Sequence, residues 1–209
     1  YLLPIYPLFA LFAAVFVFRL TENIRRMFGC WYVLVVLVLI GSILVWPLSF
    51  LQIYTKPNTR VLASQWINQH IPPGSTIAVE HWDDRVPLFG GEKYEYIEMT
   101  LYDQPDDERK WQILNQKLVT ADYIILASNR LYVPLQKLID CQKYKACHPK
   151  TAQYYEQLFS GALGFQKVAE FASYPTIPTL NIPIDDQSAD ESFTVYDHPK
   201  VIIFEKVTR

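Results

Sequence analysis

The residues best equipped for chemistry in this chain form one run of six, Glu80-His81-Trp82-Asp83-Asp84-Arg85. Carboxylates, an imidazole, an indole and a guanidinium this close together can grip a sugar or steady a phosphate, and His81 beside Asp83 is suited to proton transfer. The plainer account is a polar loop in which Asp83 and Asp84 cap the next turn while Trp82 packs down, the commoner fate of such residues. A second acidic group, Asp185, Asp186, Asp190 and Glu191, has the oxygen ligands of a hard-cation site. It lacks the glycine turn and the regular ligand spacing, so a solvated loop is expected and no metal is assigned.

Cys141 and Cys147 flank the polar QKYKA segment. A disulfide there closes a short loop and contributes about 2 kcal/mol or less. Two independent thiols are the alternative, and zinc held with Asp140 and His148 matches no standard finger or ribbon. There is no G-x-G-x-x-G, P-loop, H-E-x-x-H, G-x-S-x-G or C-x-x-C, and seven glycines in all. A nucleotide cradled by backbone is therefore not expected, and no cofactor is assigned.

The elements that must position these groups begin with Trp31 to Tyr54, which carries no charge. It is longer than the roughly 20 residues needed to cross a bilayer. A second apolar stretch, Tyr1 to Phe18, precedes it. The expected organisation is two transmembrane helices, 1–18 and 31–54, joined by a cytoplasmic loop over 19–30. Arg19, Arg25 and Arg26 set that orientation, because excess Lys and Arg mark the cytoplasmic side. Residues 56–209 then form an extracytoplasmic soluble domain, and the chain is integral to the plasma membrane. Tyr1 and Tyr6 fall at the extracytoplasmic rim, within reach of a lipid phosphate, although interfacial anchoring is the plainer role of such phenols. The chain starts inside an apolar segment with no basic n-region or cleavage site of a signal peptide, which reads as a piece of a longer membrane protein.

Of the 19 basic residues only Arg19, Arg25 and Arg26 precede Lys56, and of the 21 acidic ones only Glu22 does. The remainder holds 16 basic and 20 acidic residues, a net charge of −4. That balance argues against a nucleic-acid partner. Asn58 or Thr59 can cap a helix with Leu62, Trp66 and Ile67 on its apolar face, ended by Ile71-Pro72-Pro73-Gly74. Strands are expected at Thr76–Glu80, Tyr94–Leu101 on an edge, Tyr123–Ala127 and Phe165–Phe171. Helices are expected after Asp106-Asp107-Glu108, with Trp111, Leu114 and Leu118 buried, over Arg130–Ile139, and over Thr151–Ser160 with Tyr155, Leu158 and Phe159 inward. Ser173–Asp190 reads as an irregular loop, and Phe193–Tyr196 with Val201–Val207 as a hairpin. The fold class is membrane-anchored α/β, one layered domain with a mixed sheet. In such a sheet the Glu80–Arg85 run sits at the carboxyl end of a strand, where ligands collect.

Three stretches together carry a resemblance: Tyr1-Leu-Leu-Pro-Ile-Tyr-Pro-Leu-Phe-Ala, Glu80-His-Trp-Asp-Asp, and Asp190-Glu-Ser-Phe-Thr-Val-Tyr-Asp-His-Pro-Lys-Val-Ile-Ile-Phe-Glu-Lys. They resemble the carboxyl-terminal region of bacterial and archaeal GT-C membrane glycosyltransferases similar to the dolichyl-phosphate-mannose-protein mannosyltransferases. The resemblance implies a polytopic enzyme that moves a mannose-like sugar from a polyprenyl-phosphate carrier to a glycan or protein acceptor outside the cytoplasm. It implies that the catalytic acidic residues lie in an earlier loop, often acting without metal, so none is assigned here. This part would be accessory, with membrane lipid and the lipid-linked sugar as partners. Tyr1, Tyr6, His81, Trp82, Asp83, Asp84 and Arg85 are its candidate substrate contacts. The family's span motif carries an Arg just before the Tyr that stands first here. A membrane-anchored binding or sensor domain without enzymatic activity is the alternative from another class, and a purely structural envelope subunit a third.

Overall fold

Nothing between Arg19 and Phe28 is glycine or proline, so the first apolar helix does not stop where its apolar run does. In the computed structural model, which describes residues 5–207, α1 spans Tyr6–Phe28 and carries Arg19, Arg25 and Arg26 on its last turns. The expected connector over 19–30 shrinks to a single 3-10 turn at Gly29–Trp31. Gly29 makes the break with φ +54°, a left-handed value that side-chain-bearing residues avoid. Helix α2, Tyr32–Leu51, follows with Pro47 inside it, and a second 3-10 turn at Gln52–Thr55 ends the run. This amino-terminal helical region is long and apolar enough to cross a membrane. Leu8, Phe12, Phe16, Leu37 and Ile43 are each more than half exposed, a surface that lipid rather than water tolerates.

The remainder is an α/β domain around a five-stranded mixed sheet. Its strands are β1 (Thr76–Glu80), β2 (Glu95–Met99), β3 (Tyr123–Leu126), β4 (Phe165–Phe171) and β7 (Val201–Lys206), in the order β2-β1-β3-β7-β4. β1 runs parallel to both β2 and β3, whereas β7 runs antiparallel to β3 and β4. A separate two-stranded ribbon, β5 (Thr176–Ile177) and β6 (Ile182–Pro183), lies within the expected irregular loop.

The helices cover both faces. Alternation along the strands sends Ala78, Ile124, Ile202 and Phe204 to one face, against α4 (Glu108–Thr120) and α6 (Pro149–Ser160). Ile77, Val79, Ile125 and Ile203 go to the other, against α3 (Thr59–His70). Asp106 joins the two helices of the first layer. It accepts from Trp111 Nε1 at 2.8 Å and Lys110 Nζ at 3.0 Å in α4, and from the Lys150 and Thr151 amides at 2.8 and 3.0 Å in α6. Burial works to raise its pKa, but those donors outweigh it and hold the carboxyl below its ordinary value.

Several expectations are corrected. The Phe193–Tyr196/Val201–Val207 hairpin does not form: Glu191–Phe193 is a 3-10 turn whose Asp190 carboxylate accepts from the Ser192 amide, a local bond that competes with strand pairing. Val201 to Phe204 are four consecutive buried apolar residues, and only a central strand buries both faces. Helix α3 is capped by Asn58, which accepts from the Arg60 amide at 2.9 Å. Its sheet-facing residues are Thr59, Arg60, Ala63, Ser64 and Ile67, while Leu62 and Trp66 are only partly buried. The helix expected over Arg130–Ile139 narrows to α5, Tyr132–Leu135, where Pro134 lacks a donor for any longer ladder. Phe159 is partly exposed, and Tyr154 takes the inward place beside Tyr155 and Leu158.

Cys141 and Cys147 are bonded to each other, and Cys30 is free. Because the bridge closes only a short loop, the Cys141→Ser/Cys147→Ser pair is expected to lower stability by about 2 kcal/mol. Denaturant titration of the two forms measures this.

Candidate functional site

Parallel pairing of β1 with β3 opens their carboxyl ends on the same edge of the sheet, so the loops after Glu80 and after Leu126 meet there. They meet on Asp83. Its side chain is almost fully buried and bonds Arg60 Nη2 at 2.9 Å, the Ser128 hydroxyl and the Asp84 amide at 2.8 Å. Arg60 comes from the sheet-facing side of α3. It reaches Asp84 at 3.0 Å with Nη1 and donates from Nε to the Ala127 carbonyl at 3.3 Å. Asp83 is therefore a fastener between α3 and the two loops, with its oxygens already occupied.

Glu80, the last residue of β1, is buried among Tyr132, Tyr154 and Tyr155 rather than open to solvent. The Tyr155 hydroxyl donates to its Oε1 at 2.5 Å, and Oε2 has no partner among the described residues. Burial pushes its pKa up to about 8, the Tyr155 bond pulls it the other way, and the Asp83 charge raises it further. The carboxyl is thus largely neutral at pH 7.

The other predicted residues scatter. His81 points to the sheet edge and pairs with Glu98 at 3.0 Å. Arg85 lies over the Tyr96 ring at 4.7 Å, in a separate recess with Pro87 and Tyr94. Tyr6 is exposed on the first turn of α1, and Tyr1 lies outside the described residues. Of the six that lie among the described residues, Trp82 alone faces the main cleft, a space of about 710 Å³.

That cleft is walled by Trp82 and Tyr102, floored by Leu131, Leu135 and Leu138, and rimmed by Arg130, Lys137 and Glu191. The Trp82 indole meets the Tyr102 ring edge-on at 6.3 Å, and Tyr102 is backed by His148, stacked at 5.5 Å. His148 has its pKa held down, first by burial and then by the Lys110 charge. Arg130 organises the rim. It donates to the Trp82 carbonyl at 3.1 Å and the Tyr196 hydroxyl at 3.2 Å, and pairs with Glu191 at 3.5 Å. Asn129 does the same one residue earlier, accepting from Thr194 Oγ1 at 2.9 Å. Asp186, Asp190 and Glu191 turn to His198, Ser192 and Arg130 respectively, so these carboxylates do not converge.

Sequence reasoning missed Tyr102, Asn129, Arg130 and Lys137. For Asn129 and Arg130 the signal was present: Ser128-Asn129-Arg130 directly follows the buried strand at Tyr123–Ala127, the same carboxyl-end position that singled out the run after β1. Comparison with protein-family models, curated proteins and solved structures gave no match for this chain.

Proposed function

We propose that this chain is the carboxyl-terminal part of a polytopic GT-C-type glycosyltransferase, and that its domain offers the cleft at Trp82 to a glycan, as acceptor or as transferred sugar. In this reading α1 and α2 are two membrane spans whose Arg19, Arg25 and Arg26 face the cytoplasm, which exports the domain. The catalytic acidic residues lie elsewhere in the parent protein.

One observation carries the glycan reading: two aromatic walls and a rim of mixed charge enclose a space in the usual range for small-molecule sites, about 300–1,000 Å³. Aromatic faces accept the apolar C–H side of a pyranose, and Arg130, Lys137 and Glu191 stand where its hydroxyls need donors and acceptors. The two carboxylates that line the cleft are engaged by neighbours, Glu191 by Arg130 and Asp190 by Ser192. Its role is to bind and orient.

Trp82→Ala and Tyr102→Ala in the full-length parent are each expected to cut transfer at sub-saturating acceptor by roughly tenfold, the loss of one well-packed aromatic contact. Trp82 is exposed, so the fold should be retained, which circular dichroism checks. Unchanged transfer by both folded variants would leave the domain as a membrane-anchored module without a part in the reaction.

A further inference from the structure

The fourteen residues from Phe171 to Ile184, bounded by Glu170 and by Asp185-Asp186, contain no charge. The β5–β6 hairpin lies within them, and its side chains Leu180 and Ile182 are 64% and 50% exposed. An uncharged apolar tip held out from a domain is unusual in water. Its neighbour explains it: β5 packs against α2, whose one buried residue is Ser49.

We propose that the β5–β6 hairpin dips its tip into the lipid interface beside α2, as a second, non-spanning contact between domain and membrane. The proposal rests on the reading of α2 as a membrane span. Ser49 precedes Tyr54, the aromatic at the helix exit, by five residues. At the helical rise this puts the buried position of α2 roughly 7 Å inside the exit, within the depth that interfacial elements reach.

The backbone of the hairpin suits an environment poor in water. Pro175, Pro178 and Pro183 have no N–H to desolvate. Three further amides are used internally: Leu180 donates to the Pro178 carbonyl at 2.8 Å, Asn181 to Ile177 at 3.0 Å and Ile184 to Pro175 at 2.7 Å. Closing so tight a tip places Thr179 and Asn181 at φ +67° and +58°, a conformation rarely adopted without glycine. The result presents Leu180 outward between the exposed side chains of Thr179 and Asn181, short polar groups that the headgroup side of a lipid interface can hydrate.

Depth-dependent quenching tests this on the full chain in phosphatidylcholine/phosphatidylglycerol vesicles. With Cys30→Ser as background, an environment-sensitive fluorophore is placed at Leu180→Cys, at Val45→Cys in α2 and at Gln116→Cys on the outer face of α4. Spin-labelled lipids with shallow nitroxides should quench the Leu180 site at least about threefold more than the Gln116 site, with the reverse order for aqueous iodide. Quenching at Val45 but not at Leu180 would overturn the proposal and leave the tip to water or to another protein segment. Absence of lipid quenching at Val45 would overturn the span itself, and the hairpin proposal with it.

Discussion

Replacing Arg60 by Ala is expected to remove roughly 3–5 kcal/mol of stability, the usual cost of stranding one member of a buried ion pair. The lost partner leaves the Asp83 carboxylate, almost fully buried, with only the Ser128 hydroxyl and the Asp84 amide. The second ion pair adds little, because the Asp84 side chain is 71% exposed and screened by water. For a domain of this size the loss corresponds to a fall in melting temperature of roughly 10 °C. Asp83→Asn should cost less, since its carbonyl oxygen can still accept from Arg60 and the Asp84 amide, and Arg60 keeps its pair with Asp84. A double-mutant cycle over Arg60 and Asp83 reads the pair directly. Single variants that each cost under about 1 kcal/mol, the range of an exposed pair, would show that Arg60 does not hold α3 to the two loops.

Glu80→Gln is expected to flatten the pH dependence of stability between about pH 4.5 and pH 8. The folded carboxyl has its pKa raised from 4.5 to about 8, chiefly by burial, so in that window the unfolded chain releases a proton that the folded one keeps. The sign follows: this group's contribution is fully present below pH 4.5, is lost as pH rises, and is gone above about pH 8. Over the whole window the loss is roughly 3–5 kcal/mol. Gln keeps an oxygen for the Tyr155 hydroxyl and never ionises. The variant and the parent should therefore unfold alike near pH 4.5, and the variant should be the more stable at pH 8. Denaturant titration of both at the two pH values measures it. Parallel pH profiles would mean that the Glu80 carboxyl is ionised in the folded state already.

Much of the architecture could be read from local pattern. The apolar run ending at Tyr54, the strands at Thr76, Tyr123 and Phe165, and the helices behind Asn58 and Asp107 all fall where periodicity and caps place them. The failures share a cause. Val201–Phe204 has the composition of any buried strand, but whether it folds back on Phe193 or slides between β3 and β4 depends on distant partners such as Ile125 opposite Ile203. The helix runs on past Arg19 because charged residues do not end a helix, whereas Gly29 does.

The site divides in the same way. Trp82 was visible beforehand as an aromatic at the carboxyl end of a strand. That Asp83 turns inward was not, because its partner Arg60 lies on a helix face that mixes Thr59, Arg60 and Ser64 with Ala63 and Ile67, so no apolar stripe marks it as buried. Tyr102 and Arg130 come from the loops after β2 and β3, and the parallel registry of β1 with both strands brings them to one cleft.

By itself, then, the order of residues determined which quarter of the chain is apolar enough to enter a bilayer and where most helices and strands begin, since those depend on neighbours within a few positions. Folding alone decided which charges became fasteners, which strand took the centre of the sheet, and which aromatics share a cleft. Each is set by competition for a limited interior, in which a group is placed by what it excludes from water together with residues remote in sequence.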